Sequence, residues 1–182
     1  MDDWANQIDR TTNDIQNHFG SLTIGELNWK PNNDSWSIAQ NIDHLIVINE
    51  TYFSVFSELK SGSYKLPFIA KFSFMVSFFG KTVLKAVDPN RKKKIKTFQI
   101  WEPSKSEISA DIIERFAKHQ MELKQQIKSL SVLVNQGAII SSPANRNIVY
   151  TLEKAFDIIV KHEQRHLEQA IEIYGLLKNY NK

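Results

Sequence analysis

Between Thr151 and Lys178 the sequence places Leu152, Ala155, Ile159, His162, His166, Gln169, Ile173 and Leu176 at alternating steps of three and four. That spacing marks one continuous face of a long α-helix. Such a face has to pack against other helices, yet three successive positions in its middle are polar. Unpaired imidazoles and amides are costly to bury, so the rest of the chain must supply partners for them.

The remainder reads as further helices. Residues 2–19 carry Ile8, Ile15 and Phe19 on one side and stop at Gly20. Ser37 and Gln40 form a capping box that starts a second helix, with Ile38, Ile42, Leu45, Tyr52, Phe56 and Leu59 in helical period. Ser61-Gly62-Ser63 ends it. A third helix is expected over about 106–133, from Ile108, Ile112, Phe116, Leu123, Ile127 and Leu130. Residues 21–35 and 137–147 carry turn chemistry and read as loops, and Thr151 is the candidate N-cap of the last helix. With only 6 Gly and 5 Pro, the chain lacks the turn markers that a sheet protein needs. The predicted fold is all-α, one domain over residues 1–182. It is a four-helix bundle with a long crossover connection between helices two and three, and with no sheet of three or more strands.

The connection, residues 64–106, holds a short helix with Phe68, Phe72, Met75, Phe79 and Val83 at helical spacing and Phe74 and Phe78 on other faces. An element apolar nearly all round is expected either inside the core or at a dimer contact or pocket wall. Phe68, Phe72 and Phe79 are therefore predicted to be largely covered, by the chain itself or by a second copy in a homodimer. The run Arg91–Lys96 reads as a solvated loop.

Net charge is +3, from 23 basic and 20 acidic side chains, too balanced to argue for nucleic acid as a partner. The absence of cysteine excludes disulfides, thiolate metal sites and a thiol nucleophile of the chain's own. Asp2 and Asp3 at the start are unlike a secretory signal, and the apolar stretch 66–87 is broken by Lys71, Gly80, Lys81 and Lys85. A cytoplasmic protein with no membrane partner is the expectation.

His162 and His166 project from one helix face about a turn apart, a spacing that suits two ligands on one metal ion. The third ligand should come from a facing helix, and His44, beside the inward Leu45, is the best candidate. His18 and His119 stand outside this constellation and read as surface or hydrogen-bonding residues. The segment His162-Glu163-Gln164-Arg165-His166 also matches H-E-x-x-H, in which Glu163 would be the general base of a zinc protease. A protease of that kind needs a third ligand downstream, and only 16 residues follow, none of them His. Gln169, one turn beyond His166, is a candidate for orienting a ligand, or else a core amide. Glu163 is expected at the edge of the site, and Asn41 and Asp43 flank His44.

The segment Trp36-Ser37-Ile38-Ala39-Gln40-Asn41-Ile42-Asp43-His44-Leu45 resembles the W-S-x-x-E-x-x-x-H-L segment of the DinB-like superfamily. Thr151-Leu152 through His162-Glu163-x-x-His166-x-x-Gln169 is similar to that family's T-L … H-E-x-x-H-x-x-Q ending. Gln40 stands where many relatives have Glu. The resemblance implies a four-helix bundle with a long crossover and one divalent transition metal, Zn or Ni, on His44, His162 and His166. It further implies a small-molecule substrate and transfer of a low-molecular-weight thiol such as bacillithiol or mycothiol. A water of lowered pKa at the same metal would instead make a hydrolase, and a protein that only binds metal or a ligand is the third expectation.

Overall fold

The computed structural model describes residues 2–90, 97–104 and 106–180, so the basic run Arg91–Lys96 lies outside the described residues. Among the described residues seven α-helices and one hairpin follow in order: α1 (Asp2–Phe19), α2 (Ile24–Asn28), α3 (Ile38–Ser61), α4 (Ser73–Ala86), α5 (Ile112–Ser129), α6 (Ser131–Asn135), β1 (Ile139–Ser142), β2 (Asn145–Thr151) and α7 (Leu152–Tyr180). The fold is all-α in class, with four long helices as its frame. α1 and α3 each pack against both α5 and α7, so α1 and α3 occupy opposite corners. The chain between α3 and α5 runs over 62–111 and carries α4, which packs on β2 and α7. No described helix is long and apolar enough to cross a membrane.

Local chemistry sets most boundaries. α1 stops at Gly20, where a Cβ would stand 2.6 Å from the Gln16 carbonyl oxygen. At the start of α3 the Gln40 N–H donates to Ser37 Oγ at 3.1 Å and the Ser37 N–H to Gln40 Oε1 at 3.2 Å, the expected reciprocal cap. Gly62 ends α3 at φ 71°, a conformation that favours glycine. Thr151 Oγ1 accepts from the Lys154 N–H at 3.2 Å and caps α7.

Four expectations are corrected. The stretch 21–35 is not all loop, because Thr23 and Glu26 form a capping box that starts α2. The third long helix begins at Ile112 rather than Ser106. Ile108 is buried in extended chain, where Asn28 takes both of its backbone groups, accepting from its N–H at 2.9 Å and donating to its carbonyl at 2.8 Å. With those groups satisfied, no helical turn is needed there. The same helix stops at Ser129, short of Leu133, and α6 follows. Finally, residues 137–147 are not a loop. Ile139–Ser142 pairs antiparallel with the β-branched stretch Asn145–Thr151, and Pro143 sits in the turn between them.

A layer of polar residues divides the core in two. On one side lie Ile8, Tyr52, Phe56, Leu123, Phe156 and Ile159, and on the other Ile15, Phe19, Ile42, Leu45, Phe116 and Leu167. Between them each long helix contributes a buried polar residue: Thr11 from α1, Asn49 from α3, His119 and Gln120 from α5, and Glu163 from α7. The histidine cluster lies in this layer.

Candidate metal centre

The cap of α3 fixes where its first turns face. Asn41 and His44, three residues apart, point toward α7, from which His162 and His166 point back. Each of the three histidines offers one ring nitrogen, and these nitrogens lie within 4.8 Å of one another. Ring centroids are 4.5 Å apart for His44–His166, 5.1 Å for His44–His162 and 4.5 Å for His162–His166.

The outer ring nitrogens of His44 and His166 are held. His44 Nδ1 donates to the Trp101 carbonyl at 2.5 Å, which leaves its Nε2 facing the cluster. His166 Nδ1 donates to Asn41 Oδ1 at 2.8 Å, while the Asn41 amide nitrogen donates to the Ser37 carbonyl at 2.9 Å and so orients the amide. His166 Nε2 and His162 Nε2 are 3.1 Å apart. In His44 and His166 one nitrogen is hydrogen-bonded outward and the other turned inward, which is how metal-binding imidazoles are oriented. Burial pushes the His44 imidazole down to about 4, against the opposing pull of the Trp101 carbonyl and Asp43. Burial, reinforced by the neighbouring histidines and Arg165, holds His162 and His166 well below the ordinary histidine value. All three are therefore neutral at physiological pH, the form that binds metal. Three neutral rings facing one another with free nitrogens can hold a metal ion.

A strap of chain over 97–104 covers α3. Trp101 lies in a short 3-10 turn, Gln99–Trp101, and its indole N–H donates to Thr51 Oγ1 at 3.2 Å. The Ser104 N–H donates to Asp43 Oδ2 at 3.1 Å, and Gln40 Nε2 donates to the Ser104 carbonyl at 2.8 Å. That last bond gives Gln40 a reason to be an amide, since a glutamate would cap α3 but could not donate to Ser104. Trp36 lies against His44 at 4.7 Å and stacks on His166 at 5.7 Å, forming an aromatic wall.

Other expected residues fall elsewhere. Glu163 is not a surface charge. It is 1% exposed, and its Oε1 accepts from Asn49 Nδ2 and Gln120 Nε2, both at 2.9 Å. Burial pushes its carboxyl up to about 7. Its Oε2 is buried without a partner among the described residues. Gln169 is half-buried and takes no part, among the described residues, in the hydrogen bonds that hold the three rings. Asp43 anchors the strap and lies 3.7 Å from Arg115. His18 is exposed, but His119 is buried and stacked on Phe53 at 5.1 Å. Leu176 is exposed and Leu177 buried in its place, because the strict three-four stripe drifts off the contact face near the end of α7. Trp36 opens the segment that resembles the superfamily but carried no role of its own there, and the Trp101 carbonyl had no sequence signal. Trp36 stands one residue before the cap of α3, which was its available signal.

Four long helices around a buried three-imidazole cluster define a helical-bundle protein with a site able to hold a metal. The model of the DinB superfamily matches residues 7–170, and the chain belongs to that superfamily. No curated protein and no solved structure matches it.

Proposed function

We propose that His44, His162 and His166 bind one divalent transition metal, Zn or Ni, and that the loaded protein transfers a low-molecular-weight thiol to a small electrophile. The observation that carries the metal assignment is the convergence of three neutral imidazoles, two of them locked by acceptors on their outer nitrogens. Tetrahedral zinc sites with three protein nitrogens leave a fourth position open. When bound, the metal would lower the pKa of a thiol placed there.

The chain's own part is to hold and shield. Asn41 and the Trp101 carbonyl fix two rings, and Trp36 walls one side of the cluster. The sulfur, its proton lost to solvent, forms a bond to the electrophilic carbon, whose leaving group departs with the bonding electron pair. With no cysteine in the chain, the thiol comes from outside. Thiol transfer is put first on the resemblance of the Trp36–Leu45 and His162–Gln169 segments to the DinB-like superfamily. Asp43 is tied to Ser104 and Arg115, whereas Glu163 accepts from Asn49 and Gln120 through Oε1 alone and its Oε2 has no partner among the described residues, so hydrolysis by a metal-bound water is the second reading.

The test is elemental analysis of purified protein, followed by assay of the Zn-loaded and Ni-loaded forms with bacillithiol or mycothiol and chlorodinitrobenzene. One metal per chain and thiol-dependent turnover are expected, both lost in His162→Ala. Full activity in the metal-free variant would overturn the reading. Ester hydrolysis without thiol would make the protein a hydrolase, and tight metal binding without either turnover a binding protein.

A further inference from the structure

α4 is a two-faced helix whose faces do not follow the usual division. Its inner face, Val76, Gly80 and Val83, lies on β2 and α7. The approach at Gly80 is close, since a Cβ there would meet Lys154 Cγ at 3.1 Å and Tyr150 Cβ at 3.3 Å. Phe74, Phe78, Lys81 and Lys85, at steps of four, three and four, form the outer stripe, and all four are exposed. Phe74 is 67% and Phe78 59% exposed, and the segment leading into α4 adds Leu66, Phe72 and Phe68, the last 70% exposed. The rings of Phe68, Phe72 and Phe74 are contiguous, with Phe68–Phe72 centroids at 5.5 Å and Phe72–Phe74 at 6.1 Å. The expected cover for Phe68, Phe72 and Phe79, by the chain itself or by a second copy, is supplied by the described residues only in part: Phe79 is half-buried, Phe68 and Phe72 are exposed, and an exposed patch of this kind marks a surface that something else covers.

Charge decides what. Residues 62–87 carry four lysines, Lys65, Lys71, Lys81 and Lys85, and no acidic residue. Lys65, Lys71, Lys81 and Lys85 join no salt bridge among the described residues, and the Lys71 ammonium lies 5.1 Å over the Phe68 ring. A second copy docking through this face would bring two basic surfaces together. Aromatic side chains ringed by unpaired lysines fit instead a surface that is apolar below and anionic above.

We infer that the outer face of α4, with the Leu66–Phe72 segment before it, docks on an anionic phospholipid bilayer. Phe68, Phe74 and Phe78 enter the headgroup–acyl boundary, and Lys71, Lys81 and Lys85 lie among the lipid phosphates. The binding is peripheral, and it is independent of the histidine cluster.

The experiment is co-sedimentation of the full chain with vesicles of phosphatidylcholine alone, or of phosphatidylcholine mixed with phosphatidylglycerol, at low and high salt. The parent is compared with the double variants Phe74→Ser/Phe78→Ser and Lys81→Glu/Lys85→Glu. Binding to the anionic vesicles is expected, at least about tenfold weaker on the zwitterionic ones, weakened by salt and lost in both variants. The replaced side chains are exposed, so metal content and melting should match the parent. The inference is overturned if the parent stays in solution with anionic vesicles, if it binds both vesicle kinds equally, or if Phe74→Ser/Phe78→Ser binds as the parent does. A parent dimer in sedimentation equilibrium that the same variant disperses, without vesicle binding, would assign the face to a second copy and overturn it too.

Discussion

Between α3 and α7, imidazoles, amides and a carboxylate stand where a helical bundle would place leucines. On the outer face of α4, phenylalanines stand where it would place charged residues. The first departure is answered largely inside the chain: Asn41, Asn49, Gln120 and the Trp101 carbonyl each pair with a buried group, while His119 Nε2, Gln120 Oε1 and Glu163 Oε2 keep no partner among the described residues. The second is not, since the rings of Phe68, Phe74 and Phe78 meet solvent. A buried polar group without a partner destabilises the fold directly, whereas an exposed ring costs the folded chain little and makes it adhesive. The difference shows how to sort irregularities in a helical pattern: those the chain satisfies by itself build a site, and those it leaves open await a partner.

The comparison can be broken by substitution, starting with the interior. Phe156 is fully buried beside Phe56 and Trp4, and Phe156→Ala should cost about 3–5 kcal/mol by chemical denaturation. A cost near that of a surface change would mean that the core beside the polar layer is loosely packed.

His119 tests the polar layer by pH. Burial pushes its imidazole down to about 4, and its Nε2 is buried without a partner among the described residues. Below about 6.5, its ordinary value, the unfolded chain takes up a proton that the folded chain refuses until about 4, so stability falls as pH falls through that window and levels off below it. His119→Phe keeps the ring on Phe53 and should remove about 2–3 kcal/mol of that acid loss. Parallel stability curves for parent and variant from neutral pH to pH 4 would contradict the assignment.

Asn41→Ala leaves the His166 ring unheld. Metal affinity, measured by competition with a chelator, should fall about 10- to 100-fold while the helical spectrum stays unchanged. Unaltered affinity would show that His166 needs no orienting partner. The smallest effect belongs to the outer face of α4. There Phe74→Ser should shift stability by no more than about 0.5 kcal/mol, and a large loss would mean that the ring packs within the chain after all.

What the sequence made legible was local or periodic. The caps at Ser37 and Gly62 lie within a few residues of what they terminate, and the α7 stripe shows which side of that helix faces inward. The three histidines could be grouped because two share a turn and the third follows a readable cap. The start of α5 was hidden because Asn28, 80 residues away in sequence, satisfies Ile108. The burial of Glu163 depends on Asn49 and Gln120 arriving from two other helices, and no spacing within α7 announces them. The hairpin β1–β2 was obscured because Gly137 and Pro143 outweighed the β-branched stretch between and beyond them. The Phe cluster was visible as a cluster, but its exposure is a property of where α4 lands.

The strap over α3 has a consequence for which changes the protein can absorb over time. His44 is oriented by a main-chain oxygen, and a main-chain oxygen survives every replacement of the side chain at position 101. Residue identity along much of the strap is thus free to drift. Its length is not, because the bonds from Gln40, Asp43 and His44 to main-chain atoms fix where residues 101 and 104 must arrive. Gain or loss of a single residue between the two would slide that oxygen off the imidazole, so insertions and deletions there should be far more damaging than substitutions.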